Sequence, residues 1–443
     1  MLDKNVFCSS PWLHIRIGYD GTFFPCRWGD RKLYREDVEC LKNIKDTSIV
    51  EYVNSQQMKN IRNELLTGIK PTGCHSCYYE ESFGKMSGRT KQLYRSKLND
   101  TFNFEDSPHY KIFEYSQQNS GLTNVLPIDL QIDIENTCNS ACIMCHPNLS
   151  SRLKSDYFKL HQIDPNVFSQ PIEFKCWAAD PVLLQKFINE LKEFPSIEYV
   201  HLLGGETLYV ESFYTICEAL IEADLAKNII LGTTTNGTVY SKRLEKIIPE
   251  FKGFHLGLSI ESVNPLNDYI RYPSDIRKVK EIFAKFISLK NKFGSLHLEL
   301  RITPNIFSIF YLDEMIQYMC DNDITAESCN ILRTPSCLRM ELLPEYLRIE
   351  ALTKLKAVVL KNSLVRVPQN PDTRHPDLTR DIISNVAYGY IDFLEGMSPP
   401  GDVESERVKL VKFLKGFESL RGNTILDYAP EYADFLNAYG YSS

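Results

Sequence analysis

The sequence predicts an α/β fold built on a parallel sheet. Between residues 127 and 335, apolar segments with the length and pattern of strands alternate with segments of helical length. Strands joined through helices favour right-handed parallel connections, and six such units form an open, partial (β/α)6 barrel of the TIM type. The predicted strands lie near 128–134, 197–203, 229–235, 254–260, 296–303 and 325–332, with helices over stretches such as 181–194, 211–226 and 275–292.

Two regions flank the predicted barrel. Residues 1–110 contain a predicted β-hairpin whose turn is Asp20-Gly21, a pair typical of two-residue hairpin loops. Residues 336–443 are predicted to form a helical extension interrupted by prolines. We therefore expect three domains, with the barrel in the middle.

Composition disfavours several classes of function. The chain has 443 residues, of which 43% are hydrophobic, and this suffices for a large core. The net charge of −7 and the pI near 5.8 disfavour a protein that binds nucleic acid along its phosphates. The first residues are charged where a signal peptide needs an apolar core, and no run approaches the ~18 apolar residues of a membrane span. We expect a cytoplasmic protein with no membrane partner.

Three cysteines follow the first predicted barrel strand. Cys138, Cys142 and Cys145 are separated by three and then by two residues. A four-iron cluster takes one thiolate per iron, so three ligands leave one iron open to a small chelating molecule. Two other interpretations stay open on spacing alone, namely inert core thiols and half of a zinc site. A structural zinc site needs four ligands, and beyond His146 no Cys or His stands at a conventional spacing.

Polar motifs also follow the next three predicted strands. Paired glycines let the backbone approach a ligand closely, and a carboxylate beside them can accept hydrogen bonds from an ammonium group. Barrels of this type carry their functional residues at the carboxyl ends of the strands, so these motifs should lie near the cysteines. The residues are Gly204, Gly205, Glu206, Asn236, Ser259 and Glu261.

The C-x3-C-x2-C spacing and the Gly-Gly-Glu motif resemble those of the radical S-adenosylmethionine enzymes. The resemblance implies that the three cysteines hold a [4Fe–4S] cluster whose open iron binds the amino and carboxylate groups of S-adenosylmethionine. An electron then cleaves this cofactor to methionine and a 5′-deoxyadenosyl radical, which abstracts a hydrogen atom from the substrate. An electron donor such as flavodoxin or ferredoxin is implied as a partner.

The same resemblance implies the residues that contact S-adenosylmethionine. Glu206 would hold its amino group, and polar side chains near the end of the fourth strand would contact its ribose or carboxylate. Met144 stands where the family usually has an aromatic residue, and a methionine can also cover a ring face. The implied cofactor contacts are Met144, Gly204, Gly205, Glu206, Asn236, Ser259 and Glu261.

A second set of cysteines precedes the barrel, namely Cys8, Cys26, Cys74 and Cys77. The predicted hairpin brings the first two together, and the C-x2-C pair supplies two more thiols; on spacing alone zinc and iron fit equally well. The series resembles the auxiliary-cluster modules called SPASM and twitch, which normally follow the barrel. The resemblance implies a second [4Fe–4S] cluster that is saturated by four thiolates.

A saturated cluster can only move electrons, so the resemblance implies a net oxidation of the substrate with this cluster as electron acceptor. The first expectation for the substrate is a ribosomally made peptide or a protein side chain, because the long connection 146–196 can form one wall of an extended cleft. A carbohydrate or nucleotide-derived metabolite is the second expectation. The alternative from another class is a non-catalytic binding module stabilised by zinc.

No catalytic residue follows from a motif. Cys176, in the long connection, and Cys337, beyond the last predicted strand, are candidate hydrogen-atom donors because both lie in predicted loops near the barrel mouth. The remaining cysteines are expected to pack as small apolar residues; they are Cys40, Cys217, Cys320 and Cys329. The long connection itself is expected to form an added helix or a lid.

Overall fold

The fold is described from a computed structural model of the chain. The structure describes residues 2–27, 42–82, 87–96, 98, 105, 107–326, 330–367 and 379–442. Cys40 and Cys329 lie outside the described residues. Cys217 is fully buried and Cys320 is partly buried against the core, as expected for packing residues.

One sheet of eight strands organises the molecule, in the order β2-β1-β3-β4-β5-β6-β7-β8. All neighbouring strands are parallel except β1 and β2. The expected α/β fold with a partial barrel is confirmed, and the six predicted barrel strands are β3 to β8. The strands are β1 His14–Ile17, β2 Phe23–Phe24, β3 Asp129–Asp133, β4 Tyr199–Leu203, β5 Ile230–Thr235, β6 Gly253–Ser259, β7 Leu296–Arg301 and β8 Thr325–Ala326.

Helices connect the parallel strands and form the C-terminal region. The three predicted crossover helices are α8, α9 and α12, and the long connection contains an added helix, α7, as expected. The helices are α1 Ser10–Leu13, α2 Ile49–Val53, α3 Gln56–Leu66, α4 His75–Ser82, α5 Gly88–Arg95, α6 Tyr110–Gln118, α7 Ser151–Ile163, α8 Pro181–Lys192, α9 Glu211–Glu222, α10 Leu244–Ile247, α11 Leu266–Ile270, α12 Ile276–Lys292, α13 Leu312–Asn322, α14 Glu345–Lys361, α15 Thr379–Gly396, α16 Val403–Arg421 and α17 Ala433–Ala438.

The two faces of the sheet differ in chemistry. Aliphatic residues such as Leu130, Val200 and Leu256 are buried in one core cluster with residues of the helices. The opposite face, which we call the inner face, carries polar side chains because successive residues of a strand point to opposite sides. One row of paired positions crosses it from β3 to β7, through Gln131, His201, Gly232, His255 and His297.

The predicted N-terminal hairpin forms, and it belongs to the sheet of the barrel instead of standing apart. Its turn is longer than the two residues expected from Asp20-Gly21, because strand pairing ends at Ile17 and Phe23. β1 pairs in parallel with β3, placing His14 beside Asp129 and Ile17 beside Ile132. The physical reason is that β3 would otherwise be an edge strand with unpaired backbone groups, and β1 satisfies them. The hairpin therefore extends the barrel sheet by two strands.

The C-terminal region packs on the barrel, as expected for a helical extension. Helix α16 contacts α7, and the Tyr432 hydroxyl donates a hydrogen bond to the Ile306 carbonyl oxygen at 2.7 Å. Within the residues that the structure describes, no helix is both long and apolar enough to cross a membrane.

Candidate active site

The first three cysteines lie in the loop that follows β3, which we call the cysteine loop (residues 138–145). Cys142 is buried, and Cys138 and Cys145 are half-buried. The loop is held from two sides: the Cys138 amide donates to the Ser151 hydroxyl at 3.2 Å, and the amide of residue 143 donates to the Ile270 carbonyl at 2.9 Å. The fold therefore fixes the three thiols at the carboxyl end of the sheet.

The three thiols share one electrostatic environment. Burial raises the pKa of Cys138 to about 11 and the pKa of Cys145 to about 12, and the charges of neighbouring cysteines add to both shifts. Burial also raises the pKa of Cys142, and the Arg271 guanidinium opposes the rise at all three thiols. Thiolates here need a nearby positive centre, which a bound metal provides because its coordinated thiols are deprotonated.

Gly204 and Gly205 let the end of β4 approach the cysteine loop. Their φ angles are +122° and +47°, values that side chains rarely permit. A β-carbon on Gly204 would lie 2.2 Å from the Glu135 carbonyl oxygen, and one on Gly205 would lie 2.1 Å from that of Thr137. The two glycines are therefore needed for contact between this turn and the backbone that leads into Cys138.

Glu206 and Asn236 join the ends of three neighbouring strands. The buried Glu206 carboxylate accepts hydrogen bonds from the Thr235 hydroxyl and from the Asn236 amide, both at 2.6 Å. The Asn236 side chain donates to Asn139 Oδ1 at 2.8 Å and to Ser140 Oγ at 3.0 Å within the cysteine loop. The prediction that these strand-end motifs come together is thus met for Glu206, Asn236 and the loop.

Glu261 is buried and holds Arg271 beside the cysteines. Its Oε1 accepts a hydrogen bond from Arg271 Nη1 at 3.0 Å, and its Oε2 accepts one from the Thr303 amide at 3.0 Å. Burial raises the pKa of the Glu261 carboxyl, and Arg271 opposes that rise. Ser259 ends β6 on the inner face, half-buried and paired with Arg301.

Two family models match the chain. The model of the radical SAM superfamily matches residues 133–298, which include the cysteine loop and Glu206. Residues 133–298 therefore form a radical SAM domain. A second model, the iron–sulfur cluster-binding domain SPASM, matches residues 8–78, and all four cysteines of the N-terminal set lie within that range. The resemblance inferred from the motifs is confirmed, including the placement of the SPASM region before the radical SAM domain.

Several solved structures resemble the chain. Native anSMEcpe with bound AdoMet is 16% identical with a TM-score of 0.39, over 54% of this chain and 62% of that chain. Streptococcus suis SuiB bound to precursor peptide SuiA is 14% identical with a TM-score of 0.35, over 73% and 65%. In both matches, this chain covers less than two thirds of the solved structure's own length. Comparison with curated protein sequences gives no match.

The donor set of the radical SAM domain fits the cofactors that the superfamily implies, S-adenosylmethionine and a [4Fe–4S] cluster. Three thiols stand on one short loop beside the cation of Arg271. Among the described residues, no three Cys, His, Asp or Glu side chains are gathered as ligands of a single ion. A four-iron cluster does not require the thiols to converge on one ion, because each thiolate binds its own iron.

In the SPASM region, Cys8 and Cys74 each lie close enough to Tyr78 to act on its hydroxyl. Burial raises the pKa of Tyr78, and the charges of these two cysteines add to the rise. Cys77 lies in the first turn of α4, three residues after Cys74, and Cys26 follows β2, near Tyr52. The structure thus places Cys8 and Cys74 around Tyr78, and the joining of all four thiols in one site remains a prediction.

Met144, Cys176 and Cys337 take three different positions around the radical SAM site. The Met144 sulfur accepts a hydrogen bond from Asn305 Nδ2 at 3.7 Å, at the end of β7. The Cys176 thiol donates to Asn136 Oδ1 at 3.2 Å, close to the start of the cysteine loop. Both candidate thiols are buried, and Cys176 is the one that contacts the segment leading into the cysteine loop.

Sequence reasoning missed Arg271, which stands beside all three thiols of the radical SAM domain. It lies just beyond α11, and no spacing relates it to the cysteines. The available signal was a single cation in the run Tyr269-Ile-Arg-Tyr272, since a lone charge among apolar residues often has a buried partner.

Proposed function

We propose that this radical SAM enzyme oxidises a peptide or a protein side chain and that a second [4Fe–4S] cluster, in the SPASM region, accepts the electron. The observation that carries the proposal is that the cysteine loop lies at one end of the parallel strands, whereas Cys8 and Cys26 lie towards the other end, with the polar inner face between them.

Strand direction separates the two sets. Cys138 follows β3, at the carboxyl edge of the sheet. Cys8 precedes β1, which is parallel to β3, and Cys26 follows β2, which is antiparallel to β1, so both lie towards the amino edge. A five-residue strand such as β3 is about 16 Å long at ~3.3 Å per residue. A substrate on the inner face would lie between the two sets.

The inner face offers hydrogen-bonding groups to such a substrate. Gln131 and His201 are buried there, and both ring nitrogens of His201 are without a hydrogen-bond partner in the described structure. Because burial of an unpaired polar group costs free energy, a bound amide or hydroxyl group would relieve that cost. Peptide groups supply both a donor and an acceptor, which suits a row that contains an amide and several imidazole rings.

The residues around the cysteine loop, at the carboxyl ends of the strands, have different roles in this proposal. When bound, the cluster and S-adenosylmethionine supply the one-electron chemistry that removes a hydrogen atom from the substrate. Glu206 offers a buried carboxylate for the ammonium group of the cofactor, and Arg271 offers a cation, oriented by Glu261. Gly204 and Gly205 keep this edge closely packed. Loss of a second electron and a proton from the substrate leaves it two hydrogen atoms lighter.

The substrate class can be tested with a fractionated extract of the host cell. Release of 5′-deoxyadenosine by anaerobically reconstituted enzyme should rise when the extract is added, and protease treatment of the extract should remove the increase. A product lighter by two hydrogen atoms should be visible by mass spectrometry. An increase that survives protease treatment and passes a small-molecule filter would instead assign the enzyme to a carbohydrate or nucleotide-derived metabolite.

We further propose a cytoplasmic location and reduction by a flavodoxin or ferredoxin. Thirteen cysteines and an oxygen-sensitive cofactor suit a reducing compartment. The measurement is the rate of 5′-deoxyadenosine release with a reduced flavodoxin as the sole electron source.

A further inference from the structure

Helix α16 ends against the cysteine loop, although it lies outside the residues that either family model matches. Its last residue, Arg421, donates a hydrogen bond from Nη2 to the Ala141 carbonyl oxygen at 2.6 Å. Ala141 directly precedes Cys142. The same Nη2 lies 3.2 Å from Oδ2 of Asp156, on the added helix α7. Two elements that the barrel itself does not require thus meet at the loop that carries the three thiols.

The Arg421 guanidinium is almost completely enclosed. Its side chain is 2% exposed, and the rings of Phe417 and Tyr272 lie 4.3 and 4.7 Å from its central carbon. Nε and Nη1 are buried and find no hydrogen-bond acceptor among the described residues. The Asp156 carboxylate accepts a hydrogen bond from Nη2 alone, and 18% of the Asp156 side chain is exposed. The cation therefore has hydrogen-bonding capacity left over beside the cysteine loop.

Burial of this guanidinium is unfavourable in free energy unless a further negative charge lies close to it. Burying a guanidinium costs free energy that one singly bonded, partly hydrated carboxylate offsets incompletely. A charge held in a low-dielectric site also acts strongly on its neighbours. The reduction potential of an iron–sulfur centre depends on nearby charge and hydrogen bonding, and a cation favours the more negative, reduced form.

We propose that Arg421 and Asp156 form a charge pair that sets the reduction potential of the cluster bound by Cys138, Cys142 and Cys145. The inference rests on the proposed function, since it requires a cluster at those thiols. Arg421 raises the reduction potential through its buried charge and its hydrogen bond to the loop backbone. The negative charge of Asp156 lowers the potential and so partly offsets that rise. Both are positioning residues, and neither need touch the substrate.

The test is a redox titration of the reconstituted protein, monitored by electron paramagnetic resonance at liquid-helium temperature. In Arg421→Gln, the side chain can still donate to Ala141 but carries no charge, so the midpoint potential should fall. We expect the equilibrium constant for reduction to drop about tenfold, which is a shift of about 59 mV for one electron. In Asp156→Asn the carboxylate is lost and Arg421 is kept, so the potential should rise.

A matched control removes an equal charge from the same helix. Arg407 donates from Nε to the Leu342 carbonyl oxygen at 3.0 Å, and it precedes Arg421 by a stretch of helix about 21 Å long. Arg407→Gln should leave the midpoint potential unchanged. Arg421→Lys, which keeps the charge, should recover most of the potential lost in Arg421→Gln.

The outcomes separate this inference from the proposed function. Opposite shifts in the Arg421→Gln and Asp156→Asn variants support the charge pair, because a general loosening of the loop would move both in one direction. Wild-type potentials in both variants, or shifts of the same sign, overturn it and leave the proposed function intact. Wild-type protein with no reducible cluster overturns the proposed function. If Arg421→Gln folds poorly, Asp156→Asn decides the question alone, since it keeps the buried guanidinium.

Discussion

Replacing Cys138, Cys142 and Cys145 together by Ala should abolish the release of 5′-deoxyadenosine from S-adenosylmethionine. These three thiols lie on the loop after β3, and each would bind a separate iron in the proposed cluster. The assay is anaerobic, with dithionite as reductant, and product is measured by chromatography. The yield should fall to the level found without protein.

Cys320→Ala is the matched control for this variant. Cys320 is a partly buried thiol on α13 that packs against the core, remote in sequence from both cysteine sets. Its replacement should leave 5′-deoxyadenosine release near the wild-type rate. Release that persists in the triple variant would remove the cysteine loop from the chemistry and with it the assignment of the active site.

Replacing Cys74 and Cys77 by Ala should separate hydrogen abstraction from oxidation. The cysteine loop lies at the other edge of the sheet, so 5′-deoxyadenosine should still form at a substantial fraction of the wild-type rate. The oxidised product should disappear, because the electron left on the substrate after hydrogen abstraction has lost its acceptor. Both compounds are measured in the same anaerobic reaction, in the presence of the peptide fraction that raises 5′-deoxyadenosine release.

Folding of this variant must be checked, because Tyr78 is close to both Cys8 and Cys74 and its hydroxyl donates to the Val6 carbonyl oxygen at 2.7 Å. Thermal unfolding of the variant should match that of Cys77→Ser, which changes only one thiol. Full yield of oxidised product from the double variant would show that the second cysteine set is structural and that the redox role is wrong.

The local pattern of the chain was enough to predict the barrel. In β3 the alternation of Leu130 and Ile132 with Gln131 and Asp133 places apolar side chains against the helices and polar ones on the inner face. Strands β6 and β7 repeat that alternation, and polar motifs follow β4, β5 and β6 directly. Period and turn residues are local properties, so the positions of the strand-end motifs could be inferred without a structure.

Contacts between distant segments could not be predicted in this way. β1 pairs with β3 although more than a hundred residues separate them in sequence, and the residues of neither strand identify the other as its partner. Arg421 and Ala141 are 280 residues apart in sequence. The local sequence around Arg421 is typical of a helix end, and only tertiary packing turns that residue towards the cysteine loop.

The glycine pair was located correctly from the sequence, but the structure shows a second reason why glycine is needed there. The sequence predicts that Gly204 and Gly205 allow close approach to a ligand. In the structure they allow close approach of the Glu135 and Thr137 backbone, which leads into the cysteine loop. Steric contact between two loops is invisible in either loop alone, whereas the conformational freedom of glycine is a property of the residue.

Metal analysis of anaerobically purified protein tests the central claim most directly. Two four-iron clusters, one at each cysteine set, require about eight irons per chain and make the protein brown. The triple variant of the cysteine loop should lose about half of that iron. Colourless protein that contains zinc and no iron, purified without oxygen, would contradict the account and favour a zinc-stabilised binding module.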